Sequence, residues 1–193
     1  MMTEPYLTNA GTFLISTLFG LYMLAVMLRF LLQCVRANSY NPIAQFLITI
    51  TDPPLRPLRQ ILPGYGGIDW PSILLMFALK ALEISLLLLL TAERFPQVSG
   101  LLVLSFADLM SLLVYVFLFA IIIQVIISWV NPGAHNPATV LLYQLTEPLL
   151  APARRIVPPI SALDFSPLVV LIALQLLIML LITPLTDIGR SLL

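Results

Sequence analysis

Charged side chains are scarce in this chain, so those that stand inside apolar stretches are the first candidates for chemistry. Only 9% of its 193 residues are charged. Lys80 and Glu83 lie three positions apart in an apolar run, a spacing that places both on one face of a helix. An ionisable residue inside a membrane is costly to bury and is by default a candidate functional site. We favour a structural interpretation, in which the two charges neutralise each other.

A second set of charged residues recurs in two Pro-rich segments. Residues 41–73 and 136–168 align without a gap at an offset of 95 residues, and 11 of their 33 positions are identical. Prolines and charges do not recur in order over this length by chance, so the chain contains an internal duplication. We name the segments cassette 1 and cassette 2. They lie in repeat 1, residues 1–95, and repeat 2, residues 96–193.

The cassettes carry matched acidic and basic residues. Asp52 and Arg59 of cassette 1 align with Glu147 and Arg154 of cassette 2, where Arg155 follows. The basic turns suit the headgroup level of a membrane, where an arginine gains about 1 kcal/mol from anionic lipid. A sharper alternative is that the arginines bind carboxylates, either those of a partner or the chain's own Asp52 and Glu147.

Four other cassette residues are typical of helix ends. Asn41 and Asn136 each precede a proline, which predicts a helix start. We expect that helix to run about ten residues, roughly 15 Å, before the next prolines end it. A piece of that length cannot span a bilayer, so it packs in the interface, our preference, or re-enters the membrane. Asp69 and Asp164 precede later spans and are expected to cap them.

The composition places the chain in a bilayer. Hydrophobic residues make up 60% of it, far more than in a soluble domain. Four apolar runs are long enough to span, given a requirement of about 17 to 25 residues; we expect spans at 12–35, 71–90, 106–130 and 167–185, the last the shortest. Basic residues concentrate in the cassette loops, which predicts cytoplasmic cassettes and both termini outside. Arg29 is expected to snorkel to the interface.

Few residues remain for catalysis or metal binding. One histidine, His135, and one cysteine, Cys34, cannot form a nucleophilic triad or a zinc site. Without a basic stripe, nucleic acid is not an expected partner. We therefore predict no enzyme activity, no metal and no cofactor. Gln124 and Gln175 are further intramembrane polar positions, and Gln124 and Asp108 are candidates to meet Lys80 and Glu83.

The chain resembles the YggT family, also called YlmG, of small bacterial membrane proteins. The ordered motifs that carry this resemblance are Asn41-Pro42, Asp52-Pro53, Pro57-Leu58-Arg59, Leu62-Pro63 and Gly67-Ile68-Asp69, then Asn136-Pro137, Thr146-Glu147-Pro148-Leu149-Leu150, Pro152, Arg154-Arg155-Ile156, Pro158 and Leu163-Asp164-Phe165-Ser166-Pro167. The resemblance implies an inner-membrane protein linked to cell division, envelope organisation or osmotic stress. It also implies a relation to chloroplast proteins that attach haem to a cytochrome.

The fold prediction is an all-α membrane protein with four transmembrane helices in two parallel repeats, each with short interfacial or re-entrant helices in its connecting loop. The function prediction is a membrane assembly or scaffold factor whose partners are anionic lipid headgroups and a membrane or cytoplasmic protein, with a second copy of the chain as a further candidate. A channel or transport component for ions or osmolytes is the alternative, motivated by Lys80 and Glu83. Haem or cytochrome assembly is a second alternative, for which His135 is the one histidine.

Overall fold

A computed structural model describes residues 4–62, 64, 67–92, 95–131, 133, 136–157 and 164–193. All secondary-structure elements in these ranges are helices. In chain order they are α1 (Glu4–Cys34), α2 (Pro42–Ile61), α3 (Trp70–Ala92), α4 (Val98–Val130), α5 (Pro137–Ile156), α6 (Ser166–Leu177), a π-helical segment (Ile178–Ile182) and α7 (Thr183–Ser191).

Four long apolar helices can each cross a membrane: α1, α3, α4 and the stretch Ser166–Ser191, which joins α6, the π-helical segment and α7. The shortest, α3 with 23 residues, is about 35 Å long at 1.5 Å per residue, which exceeds a hydrocarbon core of about 30 Å. The last span has 26 residues, so the expectation that it is the shortest was wrong. The span continues beyond position 185 because Pro184 lies in the first turn of α7, where a missing N–H is tolerated.

A π-helical segment absorbs the backbone change ahead of that proline. Pro184 has no N–H to donate and its ring crowds the preceding turn. The wider turn at Ile178–Ile182 lies directly before it, and the Thr183 hydroxyl donates to the Ile178 carbonyl at 3.0 Å. Bulges of this kind let a helix continue past a local mismatch. The span therefore remains one continuous helix.

The two repeats pack in corresponding ways. In repeat 1, α1 packs against α3 and α2 packs on both; in repeat 2, α4 packs against α6 and α7, and α5 packs on α4 and α6. A shared core containing Met27, Leu55, Leu109 and Leu145 joins the repeats. The chain is thus a four-span bundle built from two parallel repeats.

Each cassette forms one continuous helix of 20 residues, so the prediction of a helix of about ten residues ended by proline was wrong. The prolines that lie inside these helices are Pro53, Pro54 and Pro57 in α2 and Pro148 and Pro152 in α5. Each helix is about 30 Å long at 1.5 Å per residue, twice the expected length.

A tertiary contact replaces one of the hydrogen bonds that the prolines of α2 remove. A proline inside a helix deletes one hydrogen bond to the carbonyl four residues earlier. Pro54 frees the Ile50 carbonyl in this way, and the Tyr22 hydroxyl of α1 donates to that oxygen at 3.4 Å. The buried side chains of α2, among them Leu47 and Leu55, pack on the bundle at helical spacing. Packing of an amphipathic face therefore overrides the low helix propensity of proline.

Helix α7 approaches α4 at backbone contact distance. A Cβ atom built on Gly189 would lie 2.9 Å from the Leu104 nitrogen and 3.0 Å from its Cα. A Cβ atom on Gly100 would lie 2.6 Å from the Leu192 carbonyl carbon. Small residues permit such close helix packing in membranes. The two glycines therefore determine how near the end of the last span lies to α4.

Candidate functional site

Asn41 and Asn136 cap the starts of the two cassette helices. The Asn41 side chain accepts from the Ile43 N–H at 2.9 Å. Asn136 accepts from the Thr139 N–H, and the Thr139 hydroxyl accepts from the Asn136 N–H, which makes a reciprocal capping arrangement. Asn41 also donates to the Pro137 carbonyl at 2.7 Å. It therefore links the two cassettes as well as capping its own helix.

Arg59 lies between two carboxylates of repeat 1. Its Nη2 donates to Asp69 Oδ2 at 2.5 Å, and its Nη1 lies 3.7 Å from Asp52 Oδ1. The Ser72 hydroxyl donates to the same Asp69 oxygen at 2.8 Å. Asp69 thus precedes α3, as expected of a capping residue, but its side chain binds Arg59 and a hydroxyl. The ion pair ties the end of α2 to the start of α3.

Arg154 makes the corresponding contacts in repeat 2. Its Nη1 donates to Glu147 at 2.9 and 3.0 Å, and its Nε donates to Asp164 at 3.0 Å. Asp164 also accepts from the N–H of Ser166, the first residue of α6. Arg155 is exposed and makes no ion pair with any residue in the described ranges. The chain's own carboxylates therefore occupy Arg59 and Arg154, whereas Arg155 is free to meet another molecule.

A deeper layer of polar contacts links each cassette helix to the span before it. Arg29 of α1 is only 7% exposed, so the prediction that it snorkels to the interface was wrong. Its Nη1 donates to the Thr51 hydroxyl at 2.7 Å, and its Nη2 lies 2.6 Å from Asp52 Oδ1. That carboxylate oxygen is buried and accepts no well-aligned hydrogen bond, so charge holds the pair together. Burial is possible because α2 brings a counter-charge to the depth of Arg29.

Repeat 2 has an uncharged version of the same contact. Gln124 aligns with Arg29, and Thr146 aligns with Thr51, at the offset of the duplication. The Thr146 hydroxyl donates to Gln124 Oε1, and both residues are buried. The aligned pairs were a detectable sequence signal for this contact, but the alignment by itself did not show that Arg29 and Gln124 point towards the cassette helices.

The pKa values of the cassette carboxyls follow from their arginine neighbours. Burial alone would raise the pKa of Asp52, but the adjacent Arg29 and Arg56 lower it below its ordinary value. Burial would also raise the pKa of Asp164, but hydrogen bonds from Ser166 and Arg154 outweigh the effect of burial. The pKa of Asp164 is therefore lowered as well. The same contacts raise the pKa of Arg154 despite its partial burial. All three groups are therefore held in their charged forms.

An ion cluster lies within the spans. Lys80 Nζ is 2.9 Å from Glu83 Oε2 on its own helix and 3.1 Å from Asp108 Oδ2 on α4. Glu83 is 4% exposed. A crevice of about 340 Å³ opens beside the cluster and is also lined by Gly20 and Tyr115. Since one ammonium faces two carboxylates, the cluster has one negative charge in excess.

The remaining predicted polar positions lie elsewhere. Gln124 is bound to Thr146 and does not reach the cluster. Gln175 is exposed on α6 and has no side-chain hydrogen bond among the described residues. Within the described ranges, no three side chains of His, Cys, Asp or Glu are grouped to hold a metal ion. The haem alternative depends on His135, which lies outside the described residues.

Taken together, the four spans, the duplicated cassettes and the buried ion pairs define a multi-span helical membrane protein with two parallel repeats. The family model described as CCB3/YggT matches the chain twice, over residues 8–90 and 103–185. The chain therefore belongs to the CCB3/YggT family.

Several relatives match nearly the full length of the chain. "Uncharacterized protein PA0392" of Pseudomonas aeruginosa is 44% identical over 177 residues, which cover 91% of this chain and 90% of the relative. A Vibrio alginolyticus protein encoded in the proC 3' region is 40% identical and covers 86% and 90% of the two chains. "Uncharacterized protein YggT" of Escherichia coli K12 is 34% identical over 88% and 87%. No solved structure matches the chain significantly.

Proposed function

We propose that the protein is a non-catalytic assembly or scaffold factor of the bacterial inner membrane, with the outward faces of the cassette helices as its binding surface. One observation carries the proposal. Ion pairs within the chain hold both cassette helices in place, while exposed apolar side chains and exposed arginines remain on both helices. A rigid surface of this composition suits protein recognition, in which aromatic residues and arginine are enriched.

The exposed side chains lie at matching ends of the two helices. Ile61 is 76% exposed and Ile156 is 78% exposed. Because Arg59 and Arg154 are bound internally, the neighbouring exposed arginines are better candidates for contact with a partner. The proposed surface comprises Phe46, Arg56 and Ile61 of α2 and Tyr143, Arg155 and Ile156 of α5.

Site-specific crosslinking tests this surface. A photoreactive amino acid at position 61 or 156 is expected to yield a discrete protein adduct in cells, because a partner covers those side chains. Arg56→Glu combined with Arg155→Glu should reduce the adduct yield severalfold by repelling an acidic partner surface. The adducts are measured by immunoblotting and identified by mass spectrometry.

A matched position on the lipid-facing surface controls for random collisions. Leu180 of the last span is 75% exposed and lies in the apolar part of that span, outside both cassettes. The same photoreactive residue at position 180 should give lipid adducts without the discrete protein band. Identical protein adducts from all three positions, or none from the cassettes, would contradict the proposal.

The excess of arginines in the cassette loops supports a cytoplasmic location for both cassettes and a periplasmic location for both termini. Anionic lipid headgroups and a second copy of the chain remain proposed partners beside a membrane or cytoplasmic protein. The resemblance to the family supports a role in envelope organisation, cell division or osmotic stress tolerance.

A second candidate function is supported by the Lys80, Glu83 and Asp108 cluster. Its excess negative charge beside a crevice suits a binding position for monovalent cations in a channel or transporter. Liposomes containing the purified protein should then pass potassium ions, and Glu83→Gln should lower the flux severalfold by removing the excess charge. Gln175→Leu, at the position of repeat 2 that aligns with Lys80, should leave the flux unchanged. Liposomes that pass no ions would contradict an autonomous pore.

A further inference from the structure

A cleft of about 650 Å³ opens in repeat 1 between the end of α1, the turn after it and α2. Three arginines line it at different depths: Arg29, Arg36 and Arg59. Its other walls include the apolar side chains Leu32 and Ile48. The cleft therefore combines a basic lining with an apolar surface near the end of a membrane span.

Two of the arginines are fixed by neighbouring groups. Arg29 is buried and bound to Thr51 and Asp52, as described above. Arg59 bridges Asp52 and Asp69, and about a third of its side chain remains exposed. Both guanidinium groups are thereby held in position before any ligand arrives. A preorganised site of this kind loses little conformational freedom when it binds.

Arg36 is different, because its backbone occupies a conformation that its side chain disfavours. It has φ of 52° and follows α1 at the position where the helix ends in a Schellman motif. The Ala37 N–H donates to the Leu32 carbonyl at 2.8 Å, and the Arg36 N–H donates to the Gln33 carbonyl at 3.0 Å. Glycine is the usual residue at this position. The Arg36 side chain is exposed and makes no ion pair with any residue that the structure describes.

The charges around the cleft do not cancel. Arg29, Arg36, Arg59 and Asp69 line the cleft, which leaves two positive charges in excess. Arg56 and Asp52 form an ion pair with each other and add no net charge. The aligned positions of repeat 2 carry Arg154, Glu147 and Asp164, and Arg155, which aligns with Gln60, brings their sum to zero. The positions aligned with Arg29, Arg36 and Arg56 are Gln124, Asn131 and Ala151. The two repeats have therefore diverged in charge at one equivalent place.

We propose that this cleft is a binding site for one anionic phospholipid, with the headgroup phosphate at Arg36 and beside the exposed third of Arg59, and the apolar part against Leu32 and Ile48. Arginine binds phosphate oxygens through paired N–H groups. Arg36 lies just beyond the last residue of α1, at one end of a helix that can span a membrane. The exposed charge of Arg36 and the excess of positive charge are explained together by an anionic ligand. The site does not depend on whether the cassettes bind a protein partner.

Lipid titration of the purified full-length protein, followed by native mass spectrometry, tests the proposal. Phosphatidylglycerol is the anionic probe and phosphatidylcholine is the zwitterionic control. We expect preferential binding of phosphatidylglycerol. Arg36→Gln should weaken this binding about fivefold, which is the change in affinity that corresponds to the loss of one arginine near a lipid surface. Arg36→Gly should weaken it equally while raising the melting temperature, because glycine relieves the left-handed conformation.

Arg155→Gln is the matched control, since it removes an exposed arginine from the balanced repeat. It should leave phosphatidylglycerol binding unchanged, and inorganic phosphate should not displace the bound lipid. Three outcomes would overturn the proposal: equal binding of both lipids, wild-type binding by the Arg36 variants, or an equal loss with Arg155→Gln. Displacement by inorganic phosphate would assign the cleft to a free anion and overturn the lipid assignment.

Discussion

Arg29→Met is expected to lower the free energy of unfolding by about 3 kcal/mol, the lower end of the range for breaking a buried ion pair. Methionine fills the space of the aliphatic stem but leaves the Asp52 carboxylate, which is 21% exposed, without its nearest counter-charge. The Thr51 hydroxyl loses its contact with the guanidinium at the same time. Unfolding in detergent, followed by circular dichroism as denaturant is added, measures the change.

Gln124→Leu is the matched control in repeat 2. It removes the uncharged contact with Thr146, and the loss of one hydrogen bond should cost about 1 kcal/mol. Combining Arg29→Met with Asp52→Asn should recover part of the stability, because no unpaired carboxylate remains. If Arg29→Met costs no more than Gln124→Leu, the buried ion pair does not stabilise the cassette.

The pH dependence of this pair has a definite sign. Because Arg29 and Arg56 lower the pKa of Asp52 in the folded protein, the stabilisation is complete above the ordinary carboxyl pKa of about 3.9. It is lost as the pH falls through the lower pKa of the folded state. The difference in stability between the wild type and Arg29→Met should therefore shrink below about pH 3.9.

Gly189→Ala is expected to lower the free energy of unfolding by about 1 to 3 kcal/mol, although alanine is the better helix former. The added Cβ would meet the backbone of Leu104 at 2.9 to 3.0 Å, and a backbone cannot move aside as a flexible side chain can. Helix α7 should therefore separate from α4. The same denaturant titration measures the loss.

Gly20→Ala supplies the opposite case, because a Cβ atom at Gly20 has no heavy atom within 4 Å. This substitution should raise stability by about 0.5 to 1 kcal/mol through helix propensity alone. Opposite signs for the two variants would show that close packing, and not the flexibility of glycine, is what Gly189 contributes. A stabilising Gly189→Ala would mean that α7 is not tightly packed on α4.

The two repeats have kept one architecture but not one set of charges. Both cassettes tie the end of their helix to the next span through an arginine and an aspartate, Arg59 with Asp69 and Arg154 with Asp164. Repeat 1 alone places a charged residue, Arg29, where repeat 2 has Gln124. The Lys80 and Glu83 pair is also confined to repeat 1, with Gln175 and Ile178 at the aligned positions. Repeat 1 therefore carries most of the candidate ligand chemistry.

The amino-acid sequence by itself determined the duplication, the four spans and the residues that begin the cassette helices. These features depend on composition, on long apolar runs and on local rules such as Asn-Pro at a helix start, none of which needs a distant contact. The aligned prolines and charges also identified the cassettes. The match of one family model to both repeats is consistent with that duplication.

Only the tertiary structure decided how the cassette helices continue and which charges meet. Pro53 and Pro54 predict a break by local rules, but Tyr22 from another helix satisfies a carbonyl that they leave free. Arg29 meets Asp52, and Lys80 meets Asp108, across gaps of more than twenty residues in sequence. The direction in which a buried side chain points depends on the partner that another helix brings to it, because in an apolar environment an unpaired charge is too costly to remain.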